Sequence, residues 1–386
     1  MDPASSDNCM KPKIALLHSE TRSYRVPLFD LLSKNYDITF YFMYGAGWSK
    51  QYPESKHWKY KDMKRISMIG YGSDFSSGII FELFKKYDII ITSGLASFAT
   101  HASFLIAKIT GKKLILWDET WDWPHTFWAK FAKPYAKCIV RHADACIAAG
   151  TRARDLYIQF GANPKKVFIA PNVALDFSKY PVRQDLLRKM KRDLGIENKK
   201  VILYLSRIVQ YKGLDYLIKA FQIIEQKDPG AFLLVGGDGA FRGFCEQLAK
   251  DLRIKNIRFL GEVPHDKVHY YYHLCDVFVL PSRHLYTQNE CSESWGLVLN
   301  EVMSIGKPVV STTAVAGAYD LIKNGKNGYL VREKNSDILA EKILIIFENN
   351  QISKVMSQNS KKIIRSFSPN EQYKGFQEAI TLVLRS

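Results

Sequence analysis

Three short stretches in the second half of the chain carry side chains able to handle a phosphorylated ligand. Arg207 closes a short apolar run at 201–206, and Lys212-Gly213 opens a helix-patterned stretch at 213–227. In parallel α/β folds such strand ends face the ligand crevice. A helix N-terminus there adds unpaired N–H groups and the positive end of a dipole. Arg207 can grip a phosphate with two parallel hydrogen bonds, and Lys212 can act as a point charge; two solvated loop cations is an equal reading of the pair alone. The second stretch, VGGDG at 235–239, follows the next apolar run, and glycine at 237 lets backbone approach a ligand closely. Tight turns use the same residues, and the full G-x-G-x-x-G spacing of a dinucleotide site is absent. The third stretch is ESWGLVLNE, from Glu293 to Glu301. Gly296 begins a helix whose first N–H groups, at 296–298, suit a diphosphate. Carboxylates beside phosphate would repel it, so Glu293 and Glu301 fit better as acceptors for hydroxyls, one on a sugar and one on a ribose. A helix-capping acid plus a surface acid is the plainer alternative.

These residues need elements to hold them. A chain of 386 residues has the length of two domains. Its 47% hydrophobic and 24% charged residues exclude disordered, collagen-like and coiled-coil classes. No apolar run reaches a membrane span, since the stretch at 338–347 is broken by Glu341 and Lys342. Short apolar runs at 13–18, 38–43, 87–93, 113–117, 145–149 and 167–170 alternate with helical patterns starting near 26 and at 96–109, 128–143 and 151–160. That alternation predicts parallel strands joined by crossover helices. Residues 174–200, with Pro181 and a dense charge run, read as a connection containing a short helix. The alternation then restarts, with runs at 201–206, 231–236, 257–260, 277–280, 308–311 and 328–331. The expectation is a first Rossmann-like domain over 10–180 and a second over 183–367, facing across a cleft.

The polar residues 1–9 show no signal-peptide pattern. Six cysteines, at 9, 138, 146, 245, 275 and 291, form no C-x-x-C pair and predict a reduced, cytoplasmic protein with buried thiols. His265, His269 and His273 repeat every four residues, but with no matching ligand cluster the stripe is expected to line a helix and not to hold a metal. The net charge of +17 divides as +9 over residues 1–180 and +8 over 181–386, so it is spread and not held in a tail. A spread basic surface suits phosphorylated ligands, acidic lipid surfaces or nucleic acid, or serves solubility alone.

Taken together and in order, SRIVQYKG at 206–213, VGGDG at 235–239, DVFVLPS at 276–282, ESWGLVLNE at 293–301 and GKPVVSTTAVAG at 306–317 closely resemble the retaining family-four glycosyltransferases. The likeness is detailed over about 165–332 and architectural elsewhere. It implies the GT-B architecture: an α/β fold of two Rossmann-like domains facing across a deep interdomain cleft, with a C-terminal helix at about 368–386 crossing back onto the first domain. It implies transfer of a hexose-type sugar, with retention, from a nucleotide-diphosphate sugar to a hydroxyl of a glycan or lipid-linked glycan. A UDP-sugar is expected first and a GDP-sugar next. No divalent metal and no further cofactor are expected. In this resemblance Arg207 and Lys212 neutralise the departing diphosphate, Glu301 takes the ribose hydroxyls, and Glu293 holds donor-sugar hydroxyls. Backbone N–H groups of Ser294, Trp295, Gly296, Leu297 and Val298 serve sugar and phosphate, Gly237 and Asp238 lie along the donor, and Val263 borders the base.

The chain also departs from the family. Many relatives have a glycine-rich loop after the first strand, whereas here the loop is HSETRSYR, from His18 to Arg25. Glu20, Arg22 and Arg25 are therefore acceptor-side candidates with His18. Many relatives place a His-Asp pair after the strand at 113–117; here Asp118 or Glu119 stands in that region, followed by Trp121. Both acids are catalytic candidates, and a loop acid capping the next helix is the alternative. Trp121, Trp123, His125, Trp128 and Tyr135 interleave with Lys130, Lys133 and Lys137. This pattern suits sugar stacking, a peripheral membrane contact at the inner face, or an ordinary half-buried helix. A nucleotide-sugar epimerase of the same fold is the competing enzyme reading. A nucleic-acid-binding protein is the competing class, disfavoured by the even charge spread and the missing binding module.

Overall fold

The computed structural model describes residues 11–19, 22–43, 57–63, 66–67, 74–75, 77–285 and 292–385. The first sheet is built from β1 (Lys13–His18), β2 (Asp37–Phe42), β3 (Lys59–Asp62), β6 (Ile89–Ser93), β7 (Lys113–Asp118), β8 (Ala145–Ala148) and β9 (Val167–Ile169); β4 (Ile66–Ser67) and β5 (Asp74–Phe75) form a separate antiparallel pair. All seven strands of the sheet are parallel, in the order β3-β2-β1-β6-β7-β8-β9. Because side chains alternate across a strand, Ala15 and Leu17 face one layer of helices while Ile14 and Leu16 face the other. The first layer holds α2 (Ser77–Leu83), α3 (Phe98–Thr110), α4 (Phe127–His142) and α5 (Thr151–Gln159); the second holds α1 (Val26–Asn35) and the C-terminal helix. Burial on both faces is why the central strands read as continuous apolar runs.

A linker and α6 (Gln184–Leu194) lead to the second sheet, made of β10 (Lys200–Leu205), β11 (Ala231–Gly236), β12 (Ile257–Gly261), β13 (Val277–Leu280), β14 (Val309–Thr312) and β15 (Gly328–Val331). Its order is β12-β11-β10-β13-β14-β15, again all parallel. The helices are α7 (Leu214–Lys227), α8 (Arg242–Asp251), α9 (Val268–Leu274), α10 (Leu297–Ile305), α11 (Ala318–Leu321), α12 (Ser336–Glu348) and α13 (Asn350–Ile364). The last helix, α14 (Pro369–Arg385), returns to the first sheet: the Phe376 ring lies 4.9 Å from Trp117, and Gly375 sits against the Ile169 carbonyl. Strand order reverses at β1/β6 in one sheet and at β10/β13 in the other, and ligand crevices in open parallel sheets lie beyond the carboxyl ends of such strands.

The two halves also touch each other. Asn300 Nδ2 donates to the Asn172 carbonyl at 3.1 Å, Phe177 N–H to Ser304 Oγ at 3.1 Å, and Thr151 N–H to Asp320 Oδ2 at 3.0 Å. Several elements go beyond the sequence expectation: β3, β4, β5, α2 and α13. All four residues of β3 are exposed at the sheet edge, so no apolar run marks them. His269 of the histidine stripe is buried beside Phe177, and no group able to hold a metal ion occurs among the described residues.

Candidate active site

The turns after β10 and β11 are laced together. Ser206 N–H donates to the Gly236 carbonyl at 3.2 Å and Ile208 N–H to Asp238 at 2.8 Å. Gly237 has φ 120°, and a β-carbon there would run into the Ser206 carbonyl, so the approach of the two turns requires glycine. The turn at 210–212 is docked just as closely on the chain leaving β13, since a β-carbon at Gly213 would meet the Pro281 carbonyl.

This scaffold brings Lys212 and Glu293 into a direct ion pair although they are 81 residues apart. Lys212 is buried and Glu293 half-buried, so the pair is largely withdrawn from solvent. Arg207 is exposed, with its guanidinium donating to Tyr211 Oη at 2.9 Å, and the Lys212 ammonium lies 5.3 Å over the same Tyr211 ring. Glu293 is fixed through its backbone, whose carbonyl accepts from Ala316 N–H at 3.0 Å. Ser294 follows, half-buried, and Gly296 then caps α10 in the left-handed region. The Leu297 and Val298 side chains pack into the core below β13. The Trp295 side chain turns away from the pair: it is buried, and Nε1 donates to Asn300 Oδ1 at 2.8 Å.

Glu301 lies one turn into α10, where Tyr272 Oη donates to its carboxylate at 2.6 Å. Burial pushes its carboxyl up to about 7, with the Tyr272 hydrogen bond opposing. Asp238 accepts from Gly239 N–H at 2.7 Å and pairs with Arg242 at 3.1 Å, which leaves it tied to its own turn. Val263 is half-buried beside Gly236.

On the first domain, Asp118 ends β7. Its carboxylate accepts from Leu95 N–H (2.7 Å), Glu119 N–H (2.8 Å), Thr120 N–H (3.0 Å) and Thr120 Oγ1 (2.9 Å). Four donors on a buried carboxylate make it an organiser of the loop. Glu119 is the more available acid: its side chain is about half exposed and accepts from Asn172 Nδ2 at 2.7 Å. It lines the space between the domains with Ser294 and Ala316. Arg25 is buried over the Trp117 ring at 4.6 Å and donates to Asn172 Oδ1 at 3.0 Å, so it supports the Glu119 side from below. His18 packs 4.8 Å from Trp117, and Arg22 is exposed at the start of the following turn. Glu20 lies outside the described residues. Trp121 is buried 5.0 Å from His284, with its indole N–H lacking a partner among the described residues.

Four residues not singled out in the sequence belong to this arrangement. Arg283 is buried, pairs with Asp215 at 3.2 Å, and donates through Nε to the Gln210 carbonyl at 3.0 Å; its backbone N–H donates to Tyr211 at 2.7 Å. It thereby holds the turn that carries Lys212. Arg152 bridges the domains, its guanidinium over Trp121 (5.3 Å) and over Tyr319 (4.8 Å). His284 is held by Glu333, with Nδ1 to Oε1 at 2.6 Å, and its Nε2 lies 3.9 Å from Asp122 of the first domain. Tyr272 orients Glu301. Arg152 and Arg283 both follow the carboxyl ends of strands, the one signal that marks them in the sequence.

Residues 188–363 match the family described as glycosyl transferases group 1. By that match the stretch is similar to group 1 glycosyl transferase domains. An uncharacterized glycosyltransferase of Methanocaldococcus jannaschii is 32% identical over 175 residues, 45% of this chain and 42% of that protein. The alpha-D-kanosaminyltransferase of Streptomyces kanamyceticus is 25% identical over 279 residues, 69% of each chain. The chain spans about half the length of the curated relatives it matches first. Among solved structures, Anabaena HepE in complex with UDP superposes with a TM-score of 0.76 at 21% identity, over 96% of this chain and 100% of that one. That likeness shows the fold, the GT-B arrangement of two Rossmann-like domains around a cleft. Every motif of the donor-side expectation, from Arg207 to Glu301, falls inside the matched stretch.

Proposed function

We propose that the chain is a retaining, metal-independent glycosyltransferase. It moves a hexose-type sugar from a nucleotide-diphosphate sugar, UDP-linked first and GDP-linked next, to a hydroxyl of a glycan or lipid-linked glycan in the cytoplasm. The observation that carries this reading is the convergence of Arg207, Lys212, Glu293 and the N-terminus of α10 at the carboxyl ends of β10 and β13. The UDP preference draws on HepE, the neighbour of like fold that holds UDP.

In this reading the diphosphate sits between the two cations and the first N–H groups of α10. Lys212 exchanges Glu293 for the phosphate, which frees the carboxylate for donor-sugar hydroxyls. The C1–O bond to the diphosphate breaks while Arg207 and Lys212 take up the charge that develops on it. The acceptor oxygen bonds to C1 from the same face, and its proton passes to an oxygen of the departing β-phosphate. No protein nucleophile is needed. Glu119 and Arg152 face this point from the first domain, where the acceptor would lie. The reaction is tested by incubating the protein with UDP- and GDP-sugars, chelator and glycan acceptors, and following nucleoside diphosphate release and the anomeric signal by NMR. Release with an α product from an α donor is expected. An inverted product would overturn the retaining mechanism, and no release with any donor would overturn the reading.

Glu301 gives the reading a pH signature. Its folded carboxyl titrates near 7 and the unfolded one near 4.5, so the folded state binds the extra proton between these values. Its contribution to stability therefore falls as pH rises through that window. Donor affinity runs the other way, because an ionised carboxylate is the stronger acceptor for ribose hydroxyls and offers both oxygens to them. Binding of the nucleotide sugar, whose phosphates do not titrate here, is expected to strengthen about tenfold from about pH 6 to about pH 8. Calorimetry should show Glu301→Gln to be flat over this range. An equal pH dependence in the variant would place the titrating group elsewhere.

A further inference from the structure

The outer surface of α3 and α4 serves no part of the donor site, yet it has a definite chemistry. Along α4, Phe127 is 64% exposed, Phe131 67% and Tyr135 41%, spaced one turn apart on one stripe. The Phe127 and Phe131 rings pack on each other at 4.9 Å in open solvent. Tyr135 stacks on His101 at 5.1 Å, which joins the stripe to α3, where Leu105 is 54% and Ile109 75% exposed. Phe81 and Phe84, at the neighbouring α2, are exposed on the same side of the sheet. In the second domain, by contrast, the large exposed apolar residues among those described are two distant ones, Val355 and Phe244, the latter stacked at 4.7 Å on half-buried Phe241. Scattered exposed apolar residues are normal, whereas a contiguous set marks an interaction surface.

Charge says what covers it. Beside the apolar stripe Lys130, Lys133, Lys137 and Arg141 form a second row along α4, and Lys108 lies on α3. Neither helix contains an acidic residue. A helix surface with aromatic and aliphatic side chains on one stripe and lysines on the next is the pattern that seats in the headgroup boundary of a bilayer. The apolar groups enter the acyl edge while the lysines reach anionic headgroups. A second copy of this chain would bring like charges together.

We infer that the α3–α4 face docks on an anionic membrane surface. The inference rests on this surface and not on the transferase reading. It has a consequence for the cleft, because Phe127 directly follows Thr126, the cap that ends the loop running from Asp118 past Trp121. Docking therefore sets the acceptor side of the cleft at the bilayer, within reach of a lipid-carried acceptor.

The test is flotation of the whole chain with vesicles of phosphatidylcholine, with and without phosphatidylglycerol. Two variants, Phe127→Ser/Phe131→Ser and Lys130→Glu/Lys133→Glu/Lys137→Glu, are run alongside. Phe127, Phe131, Lys130 and Lys133 are exposed and Lys137 half-buried, with the Lys133 and Lys137 ammonium groups 5.9 and 6.0 Å from the Phe160 ring, so unchanged unfolding transitions check that both variants fold. The wild type is expected to float with the anionic vesicles alone. The triple variant should lose about a hundredfold in affinity, from about tenfold or less per lysine, and the double variant at least about tenfold. Equal binding to both vesicle types, binding to neither, or wild-type binding by both variants would overturn the inference. So would capture of RNA or self-association through this face without vesicle binding. Nucleotide binding in the same samples keeps the two readings apart: vesicle binding without any nucleotide response sustains this inference and sinks the transferase, and the reverse result does the opposite.

Discussion

Lys212→Met is expected to lower kcat/KM for sugar transfer by about a thousandfold. A unit charge about 4 Å from the departing diphosphate, at the effective dielectric of a partly buried site, is worth about 4 kcal/mol. Removal of one preorganised charge or donor at a developing anion has effects of about that size. Lys212 is also the counter-charge of Glu293 in the free protein. Its loss leaves a half-buried carboxylate uncompensated, and breaking such a pair lowers stability by about 3–5 kcal/mol where burial is complete. The two effects separate in a second variant. Lys212→Met/Glu293→Gln has no stranded charge, so stability should largely return while activity stays low. Initial rates against donor concentration and urea unfolding of the three proteins provide the check. A loss of activity under about tenfold in Lys212→Met would remove this lysine from the reaction.

Arg283→Met is expected to be the most destabilising change near the site, by about 3–5 kcal/mol. The Arg283 and Asp215 side chains are each 9% exposed and meet at 3.2 Å. Burial already pushes the Asp215 carboxyl up, and the guanidinium is the main influence holding it down. Without Arg283 a buried acid loses its partner, and the Gln210 carbonyl loses its donor. The turn carrying Lys212 then loosens, so donor affinity should fall even where the protein remains folded. Asp215→Asn/Arg283→Met should recover part of the stability and none of the grip on Gln210. Denaturant midpoints with donor titrations measure both. A stability loss below about 1 kcal/mol would show that the pair contributes little to the turn.

The strands that carry the site were legible because the chain makes them as unbroken apolar runs buried on both faces; Lys13–His18, Ala231–Gly236 and Val277–Leu280 were readable to the residue. The edge strand Lys59–Asp62 was not, since KYKD has no buried position to mark it. Helix α13 was missed for a related reason: NQISKVMSQNSKKII buries only Met356 and Ser360, so its apolar periodicity is thin. At the site, residue types after strand ends pointed to Arg207, Lys212 and Glu293, and the stretch ESWGLVLNE added Glu301 on the following helix. Their partners were not readable. Nothing local connects Lys212 to Glu293, or Tyr272 to Glu301, because those pairs form only when strand order folds distant turns together. Asp118 shows the same limit: an acid after β7 looks reactive in sequence, and the fold surrounds it with four donors. Arg25 likewise reads as a loop cation and is instead packed on Trp117.

The central claim is a nucleoside diphosphate site formed by Arg207, Lys212 and Glu301 without a metal ion. Thermal unfolding with UDP, GDP and ADP in turn, chelator present throughout, tests it most directly. A nucleotide at a hundred times its dissociation constant stabilises by about 2.7 kcal/mol, a shift easily seen. One of the three is expected to produce that shift in the wild type and to lose it in Arg207→Ala and in Glu301→Ala. No shift with any nucleotide, a shift that needs a divalent metal, or a shift that survives in both variants would contradict the account.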